Sequence, residues 1–304
     1  MLEAAKQRIR VSVTRARQGV GSCPYSIRMM AHVVACSGVM AVSASTTAGS
    51  QAPPSGPVIS GRDLALVAGA TAGAAVISLW DVRIAQAVGD SGLHARYPGL
   101  TSASHRGSLA TETVLMIAGG TVYVIARIRK HDGTADVALH ATESVASAAL
   151  FIQLVRGVLG RARPWVINEG GEIRDGDPYD FKAFRGFTSY NYRSFPSMHA
   201  MASFAVASAL AQEMRRRDTP HRGVIAPALY VGATIPALSR MYLDEHWASD
   251  IAMGIFIGVL AGQKVVMYSH DHPDNRIDRA LLHPRLTLTV TGDARGFALS
   301  VLPF

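Results

Sequence analysis

The sequence predicts an all-α protein, a bundle of six helices followed by a small C-terminal β-hairpin. Six long apolar segments lie between residues 61 and 268, and polar or charged residues separate them. Alternation of apolar and polar residues, typical of β-strands, runs from Leu286 to Val301 around a glycine-containing turn. Hydrophobic residues make up 49% of the chain and charged residues 17%, against about 25% charged in an ordinary soluble domain. The composition is therefore apolar for a soluble protein.

Residues 1–60 are predicted to be a basic N-terminal extension outside the bundle. A basic run is followed by a short apolar run and then by small residues, a succession typical of a secretory signal over residues 29–48. Met29 or Met30 is an alternative start of translation. The proline- and glycine-containing residues 49–60 are predicted to be a linker to the first helix.

The six predicted helices are bounded by polar or charged residues. Their expected bounds are Leu64–Trp80, Ser108–Ile128, Ala135–Leu159, Pro196–Met214, Gly223–Arg240 and Ala248–Met267. The first is uncharged and just long enough to span a bilayer. A polar loop is expected between the first two helices, and a long loop over residues 161–195 between the third and fourth. His140 and Glu143 in the third helix are expected to face neighbouring helices, because ionisable groups avoid lipid.

Residues 61–268 are thus the predicted helical domain, and residues 269–304 are a tail that carries the hairpin. Pro227 and Pro236 fall inside the fifth helix and are expected to kink it, because proline removes a backbone hydrogen bond and its ring clashes with the preceding turn.

Three short motifs lie at helix ends that an up-and-down bundle brings to one pole. They are Arg156-x6-Arg163-Pro164 at the end of the third helix, Pro196-Ser197-Met198-His199 at the start of the fourth, and Ser239-Arg240-x5-His246-x3-Asp250 from the fifth into the sixth. Each residue alone has an ordinary explanation, such as a solvated charge, a structural histidine or a helix cap at Ser197. Their convergence at one pole favours a catalytic site.

These residue types suit phosphoryl transfer. Three guanidinium groups can bind the non-bridging oxygens of a phosphate, and the start of the fourth helix adds backbone N–H groups and the Ser197 hydroxyl. One histidine can attack phosphorus while the other protonates the departing oxygen. Asp250, four residues after His246, can hold that imidazole through Nδ1–H and leave Nε2 free. Because arginines supply the charge, no metal or other cofactor is expected.

In these motifs the sequence resembles the type 2 phosphatidic-acid phosphatase superfamily, which includes bacterial class A acid phosphatases and vanadium haloperoxidases. The family signature is Lys-x6-Arg-Pro, Pro-Ser-Gly-His and Ser-Arg-x5-His-x3-Asp, and the likeness covers about residues 155–252. Two positions depart from the signature, since Arg156 stands in place of Lys and Met198 in place of Gly. Arg156 keeps the positive charge of the lysine but differs from it in side-chain length and geometry. The second departure requires the Met198 side chain to point away from phosphate.

The resemblance implies a six-helix fold of this superfamily and a metal-independent phosphatase that works through a phosphohistidine. It implies His246 as the nucleophile, Asp250 as its orienting carboxylate and His199 as the general acid. The implied phosphate-binding residues are Arg156, Arg163, Ser197, Met198 and Arg240. The expected substrate is a phosphorylated lipid or a small phosphoester. A vanadium-type haloperoxidase, a soluble periplasmic acid phosphatase and an inactive membrane scaffold are the alternatives.

The charge pattern bears on location and partners. A net charge of +8 fits an anionic substrate, a membrane surface or nucleic acid, but no platform of aromatic and basic residues supports nucleic-acid binding. Basic loops at residues 127–130 and 215–217 lie at the pole opposite the motifs, so the positive-inside rule places the motifs outside the cytoplasm. A cleaved signal peptide conflicts with six membrane spans. Six spans with this orientation require the residues before the first helix to be cytoplasmic, whereas cleavage of a signal would place them outside. We expect a bacterial multi-pass inner-membrane protein with a periplasmic site, with an exported periplasmic protein as the alternative.

Overall fold

A computed structural model of the chain describes residues 60–167 and 171–282, together with the backbone of residues 286–287 and 300–301. The predicted N-terminal extension, signal and linker lie outside the described residues. Most described residues are helical, and the only sheets among them are two pairs of very short strands. The predicted all-α class is therefore confirmed.

Six long helices correspond to the six predicted ones. They are α1 (Gly61–Ser78), α5 (Glu112–Ile128), α6 (Asp132–Leu159), α8 (Met198–Arg216), α9 (Arg222–Tyr242) and α10 (Ala248–Asp271). The start of α1 shows the local chemistry that sets such a boundary. The Ser60 hydroxyl accepts a hydrogen bond from the Asp63 N–H, and the Asp63 carboxylate accepts one from the Ser60 N–H. This reciprocal pair satisfies backbone donors that a helix start leaves free.

The prediction of a polar loop between the first two long helices is wrong. The chain there forms three short helices, α2 (Asp81–Val88), α3 (Ser91–Arg96) and α4 (Pro98–Gly107). Ile84 and Val88 of α2 are buried in the same core cluster as Tyr242 of α9. The apolar face of α2 is too short to stand out from the surrounding charges in the sequence, so tertiary packing decides its structure.

Helices α8 and α10 form the centre of the bundle and approach each other closely. Three glycines of α10 at four-residue intervals, Gly254, Gly258 and Gly262, face α8. A Cβ on them would lie 2.5, 2.3 and 2.6 Å from the carbonyl oxygens of Ser197, Met201 and Ala205 respectively. Small residues at this spacing let two helix backbones come into contact. The close approach brings the first turn of α8 against the first turn of α10, where the Ser197 N–H donates to the Asp250 carbonyl at 3.0 Å.

The long segment between α6 and α8 folds over the pole where these helix starts lie. Gly160 ends α6 with a left-handed φ of 57°, and a Cβ there would lie 1.9 Å from the Lys182 carbonyl oxygen. Strands β1 (Trp165–Ile167) and β2 (Ile173–Asp175) then pair antiparallel, and the short helix α7 (Arg185–Thr188) and a 3₁₀ turn (Tyr190–Tyr192) follow. The sequence predicted an irregular loop here, so this hairpin is a second correction.

The C-terminal part contains one further helix that the sequence did not predict. Helix α11 (Arg276–Leu282) docks on the bundle, where Leu282 packs with Ala126, Ala135 and Leu139. Beyond it, β3 (Leu286–Thr287) pairs antiparallel with β4 (Ser300–Val301). This pairing confirms the predicted hairpin, although the residues between the two strands lie outside the described residues.

Several of the long helices carry the features of membrane-spanning segments. Helices α6, α9 and α10 are long and apolar enough to cross a membrane, and five segments qualify if α1 with α2–α3, and α4 with α5, each count as one bent span. Large apolar side chains point away from the protein interior on these helices, among them Ile117 at 64%, Leu150 at 67% and Val224 at 75% exposed. In water such a surface would promote aggregation, whereas in lipid it matches the surrounding solvent. The protein is a membrane protein.

Candidate active site

The predicted site residues lie at one pole, where α6 and α9 end and α8 and α10 begin. His246 is buried in the turn between α9 and α10. Burial lowers the pKa of His246 well below its usual value, and the nearby positive charges of Arg163 and Arg240 lower it further. The imidazole is therefore neutral at physiological pH, the state in which it can act as a nucleophile.

Asp250 lies behind the His246 ring but is already held by other donors. Its carboxylate accepts hydrogen bonds from Arg161 Nη1 at 2.5 Å, Ser194 Oγ at 2.5 Å and the Trp247 N–H at 2.9 Å. His246 Nδ1 lies 3.5 Å from Asp250 Oδ2 and, among the described residues, has no hydrogen-bond partner. This separation is long for a hydrogen bond, and catalytic contacts are often long before substrate binds. Asp250 is thus positioned to orient His246 after a small movement.

Arg161 is the main residue of this pole that the sequence analysis missed. It is buried, and Nη2 donates to Asp81 at 2.8 Å while Nη1 donates to Ser249 at 2.8 Å as well as to Asp250. Asp81, fully buried at the start of α2, also accepts the Ser249 N–H at 2.9 Å. Burial alone would lower the pKa of Arg161, but the charges of Asp250 and Asp81 outweigh it and raise that pKa. Arg161 therefore holds Asp250 through Oδ1, whereas His246 faces Oδ2.

In the sequence, the network of Arg161, Asp81 and Asp250 was indicated only by the charged residues themselves. Arg161 falls between the two predicted arginines of the first motif, and Asp81 directly follows an apolar helix. Neither position shows its partner, because 80 residues separate them along the chain.

Glu245 bridges two of the predicted phosphate-binding arginines. Its Oε2 lies 2.7 Å from Arg163 Nη1 and 3.3 Å from Arg240 Nη2, and it accepts a hydrogen bond from the Tyr190 hydroxyl at 3.3 Å. The guanidinium of Arg163 also lies over the Tyr190 ring, 4.0 Å from its centroid. The Glu245 carboxylate thus links these two arginines and Tyr190 at this pole.

The start of α8 places the remaining predicted residues. Ser197 is the fully buried N-cap, and its hydroxyl accepts from the Ala200 N–H at 3.5 Å. The Met198 side chain packs in the apolar core with Val145 and Ile152, so it points away from the pole, as the sequence required of a residue that replaces glycine. His199 Nε2 lies 3.1 Å from the Ser108 carbonyl oxygen, which anchors the ring to the segment between α4 and α5.

Three nitrogen atoms at this pole are buried without a hydrogen-bond partner among the described residues. They are Arg156 Nε, Arg240 Nε and His246 Nδ1. Buried donors without partners are rare in folded proteins and call for an explanation. Here they belong to residues that surround one site, together with Arg163. The arrangement can accept an anion that has several oxygen atoms.

Comparison with known protein families finds a match over the part of the chain that carries the three motifs. Residues 137–273 match the PAP2 superfamily. This matching part covers slightly less than half of the chain. It contains the three motifs, and both Arg161 and Glu245 also lie within it, whereas Asp81 lies outside it.

Two characterised proteins are similar to parts of the chain. The chain is 31% identical over 118 residues to a lipid A 1-phosphatase of Porphyromonas gingivalis, an alignment that covers 35% of this chain and 25% of that protein. The chain thus spans about a quarter of the length of this relative. A crystal structure described as the first transmembrane PAP2-type phosphatidylglycerolphosphate phosphatase from Bacillus subtilis aligns with a TM-score of 0.47 at 20% identity. That alignment covers 70% of this chain and 97% of the other.

Proposed function

We propose that this PAP2 protein is a metal-independent phosphatase that hydrolyses phosphate mono- or diphosphate esters of lipids through a phosphohistidine on His246. The observation that carries the proposal is the group of unpartnered buried nitrogens beside a neutral histidine. The two arginine nitrogens are satisfied when phosphate oxygens take their place in the site, and His246 Nδ1 is satisfied when the ring approaches Asp250.

In the proposed first step, Arg156, Arg163 and Arg240 hold the non-bridging oxygens of the phosphate. The Ser197 hydroxyl and the backbone N–H groups at the start of α8 add to this binding, because a helix N-terminus favours negative charge. Burial and the charge of Arg240 lower the pKa of His199 to about 4, so in this proposal the negative charge of the bound phosphate raises that pKa and keeps the ring protonated. His246 Nε2 attacks phosphorus, and the bond to the leaving oxygen breaks as the protonated His199 transfers its proton to that oxygen. Asp250 stabilises the positive charge that develops on the His246 ring.

In the proposed second step, water hydrolyses the phosphohistidine. His199, now neutral, takes a proton from the water as its oxygen attacks phosphorus, and the bond from phosphorus to His246 Nε2 breaks. The products are inorganic phosphate and the starting enzyme. The arginines stabilise the charge in both transition states, and the Glu245 carboxylate moves aside when phosphate binds, since it contacts the same guanidinium groups.

A lipid substrate is supported by the apolar outer surface of the bundle and by the similarity to a lipid A 1-phosphatase, whose name indicates a phosphorylated lipid. The test is phosphate release from a panel of lipid A 1-phosphate, phosphatidylglycerol phosphate, phosphatidate, an isoprenyl diphosphate and a soluble aryl phosphate. We expect kcat/KM for at least one lipid to exceed that for the aryl phosphate by at least about tenfold, because binding of the remote lipid part assists the chemical step. Equal turnover of all five would contradict a lipid phosphatase, and halide oxidation with vanadate in place of phosphate release would indicate a haloperoxidase.

We further propose that the active site faces the periplasm. Basic residues cluster at the opposite pole, with Arg127, Arg129 and Lys130 at the end of α5 and Arg215 to Arg217 at the end of α8. Positively charged loops stay preferentially in the cytoplasm.

Two cysteine substitutions test this orientation after Cys23 and Cys36 are replaced by serine. Glu172→Cys lies in the segment over the active site and Asp218→Cys lies between α8 and α9, and both native side chains are well exposed. In intact spheroplasts a membrane-impermeant maleimide should label Glu172→Cys and should label Asp218→Cys only after the membrane is permeabilised. The reverse pattern would place the active site in the cytoplasm, and labelling of both would contradict a spanning arrangement.

A further inference from the structure

A second cluster of ionisable side chains lies at the pole opposite the active site. His140 of α6, Glu213 of α8 and His270 of α10 each offer a donor atom, and these atoms all lie within 4.8 Å of one another. About 20 residues of α10 separate Asp250 from His270, which corresponds to roughly 30 Å along a helix. The cluster is therefore a separate feature that the proposed phosphatase chemistry does not use.

The two histidines converge on one oxygen atom. His140 Nδ1 lies 2.6 Å and His270 Nε2 lies 3.0 Å from Glu213 Oε1. The other oxygen of this carboxylate, Oε2, accepts from Arg217 Nε at 2.7 Å, which orients Oε1 towards the histidines. Two imidazole nitrogens and one carboxylate oxygen are a ligand set typical of zinc and of other divalent transition metals.

The surroundings of the cluster show unsatisfied polar atoms. His140 Nε2, Glu143 Oε1 and Asp278 Oδ1 are buried and have no hydrogen-bond partner among the described residues. The side chains of His140 and Asp278 are each only 5% exposed, and His140 Nε2 faces Asp278 Oδ2 at 3.7 Å. A histidine that binds metal through one nitrogen commonly directs its other N–H at a carboxylate. Asp278 is in the right place for this second contact.

The charges of the described groups also favour a divalent cation. Three carboxylates surround the two histidines, namely Glu143, Glu213 and Asp278, and Arg217 neutralises one of them. A divalent cation with neutral imidazole ligands would offset the negative charge of the carboxylates in this cluster.

We infer that His140, Glu213 and His270 form a binding site for a divalent transition metal such as Zn²⁺, with Asp278 as the carboxylate that orients His140. Tetrahedral ligand atoms about 2.0–2.2 Å from zinc lie roughly 3.3 Å apart. His140 Nδ1 and Glu213 Oε1 are now 2.6 Å apart, so they need to move apart by less than about 1 Å when the metal binds. The metal joins α6, α8 and α10. Through Asp278 it also secures α11, whose first turn is held by Asn275.

Metal binding to the purified full chain in detergent tests the inference. The protein carries an affinity tag without histidine, is stripped with a chelator and is then titrated with Zn²⁺ and, separately, Mn²⁺. We expect about one Zn²⁺ per chain and a rise in the melting temperature. His270→Ala should weaken binding by about 100-fold or more, and Asp278→Asn by about 10- to 100-fold. His270 is partly exposed, so this variant should retain its fold.

Two matched variants distinguish zinc binding at this site from zinc binding by other histidines. His272→Ala, on the exposed segment just after α10, and His246→Ala, in the active site, should both bind Zn²⁺ as tightly as the unaltered chain does. Absence of binding tighter than about 100 µM in the unaltered chain would overturn the inference, and would leave the cluster as a network of contacts between the two histidines and Glu213. Equal binding by His270→Ala and His272→Ala would also overturn it.

Discussion

The substitution His246→Ala is expected to lower phosphate release by roughly 10⁴-fold or more, because it removes the proposed nucleophile. The remaining arginines and the start of α8 would still bind the substrate, so KM should change far less than kcat. A chelator such as EDTA should leave turnover of the unaltered enzyme unchanged at temperatures well below its melting point. The measurement is steady-state phosphate release from the best lipid of the panel.

His221→Ala is the matched control for this substitution, since His221 lies at the exposed start of α9, far from the pole that holds the site. A covalent intermediate gives a second readout. Enzyme mixed briefly with substrate labelled at phosphorus should retain a label that is stable in alkali and lost in acid, and His246→Ala should retain none. Near-normal turnover of His246→Ala, or equal labelling of both proteins, would refute the nucleophile assignment.

The substitution Arg161→Ala is expected to have the largest effect on stability. It leaves the buried carboxylates of Asp81 and Asp250 without their shared cation. Removing one partner of a buried ion pair typically costs about 3–5 kcal/mol, so we expect a fall of several degrees or more in the melting temperature measured in detergent. Activity should also fall, because Asp250 loses one of the three hydrogen bonds that hold it beside His246.

Arg174→Ala provides the matched comparison for Arg161→Ala. It removes the same kind of side chain from the same connecting segment, but the ion pair of Arg174 with Glu172 is exposed. Exposed pairs contribute about 0–1 kcal/mol, so this variant should melt close to the unaltered protein. If both variants lost the same stability, the buried network would not be the reason. Arg161→Lys should restore part of the loss, because it returns the charge without the two-pronged geometry.

The six long helices were predictable because each leaves a strong local signal. Apolar runs of about 20 residues end at charged or proline-containing turns, and this contrast needs no knowledge of distant contacts. The three motifs were predictable for a related reason, since their spacing places chemically matched residues at helix ends. His140 and Glu143 face neighbouring helices as expected, and His140 contacts Glu213 of α8.

The short helices and the hairpin over the active site were not predictable in the same way. Helix α2 has eight residues and β1 has three, and elements of this length are not stable without tertiary contacts. Helix α11 likewise owes its place to Leu282 in a core cluster and to the hydrogen bond from the Tyr123 hydroxyl to the Leu281 carbonyl oxygen. In sequence, these short elements resemble the polar loops that usually connect helices.

The sequence by itself determined the bundle, the motifs and the class of chemistry, because hydrophobicity and motif spacing are properties of local stretches of chain. Only the tertiary structure decided which charges are buried together. Arg161 meets Asp81 across 80 residues, and His140 meets Glu213 across 73. A buried charge must find an opposite charge wherever the fold provides one, and the sequence shows the charge without showing its partner.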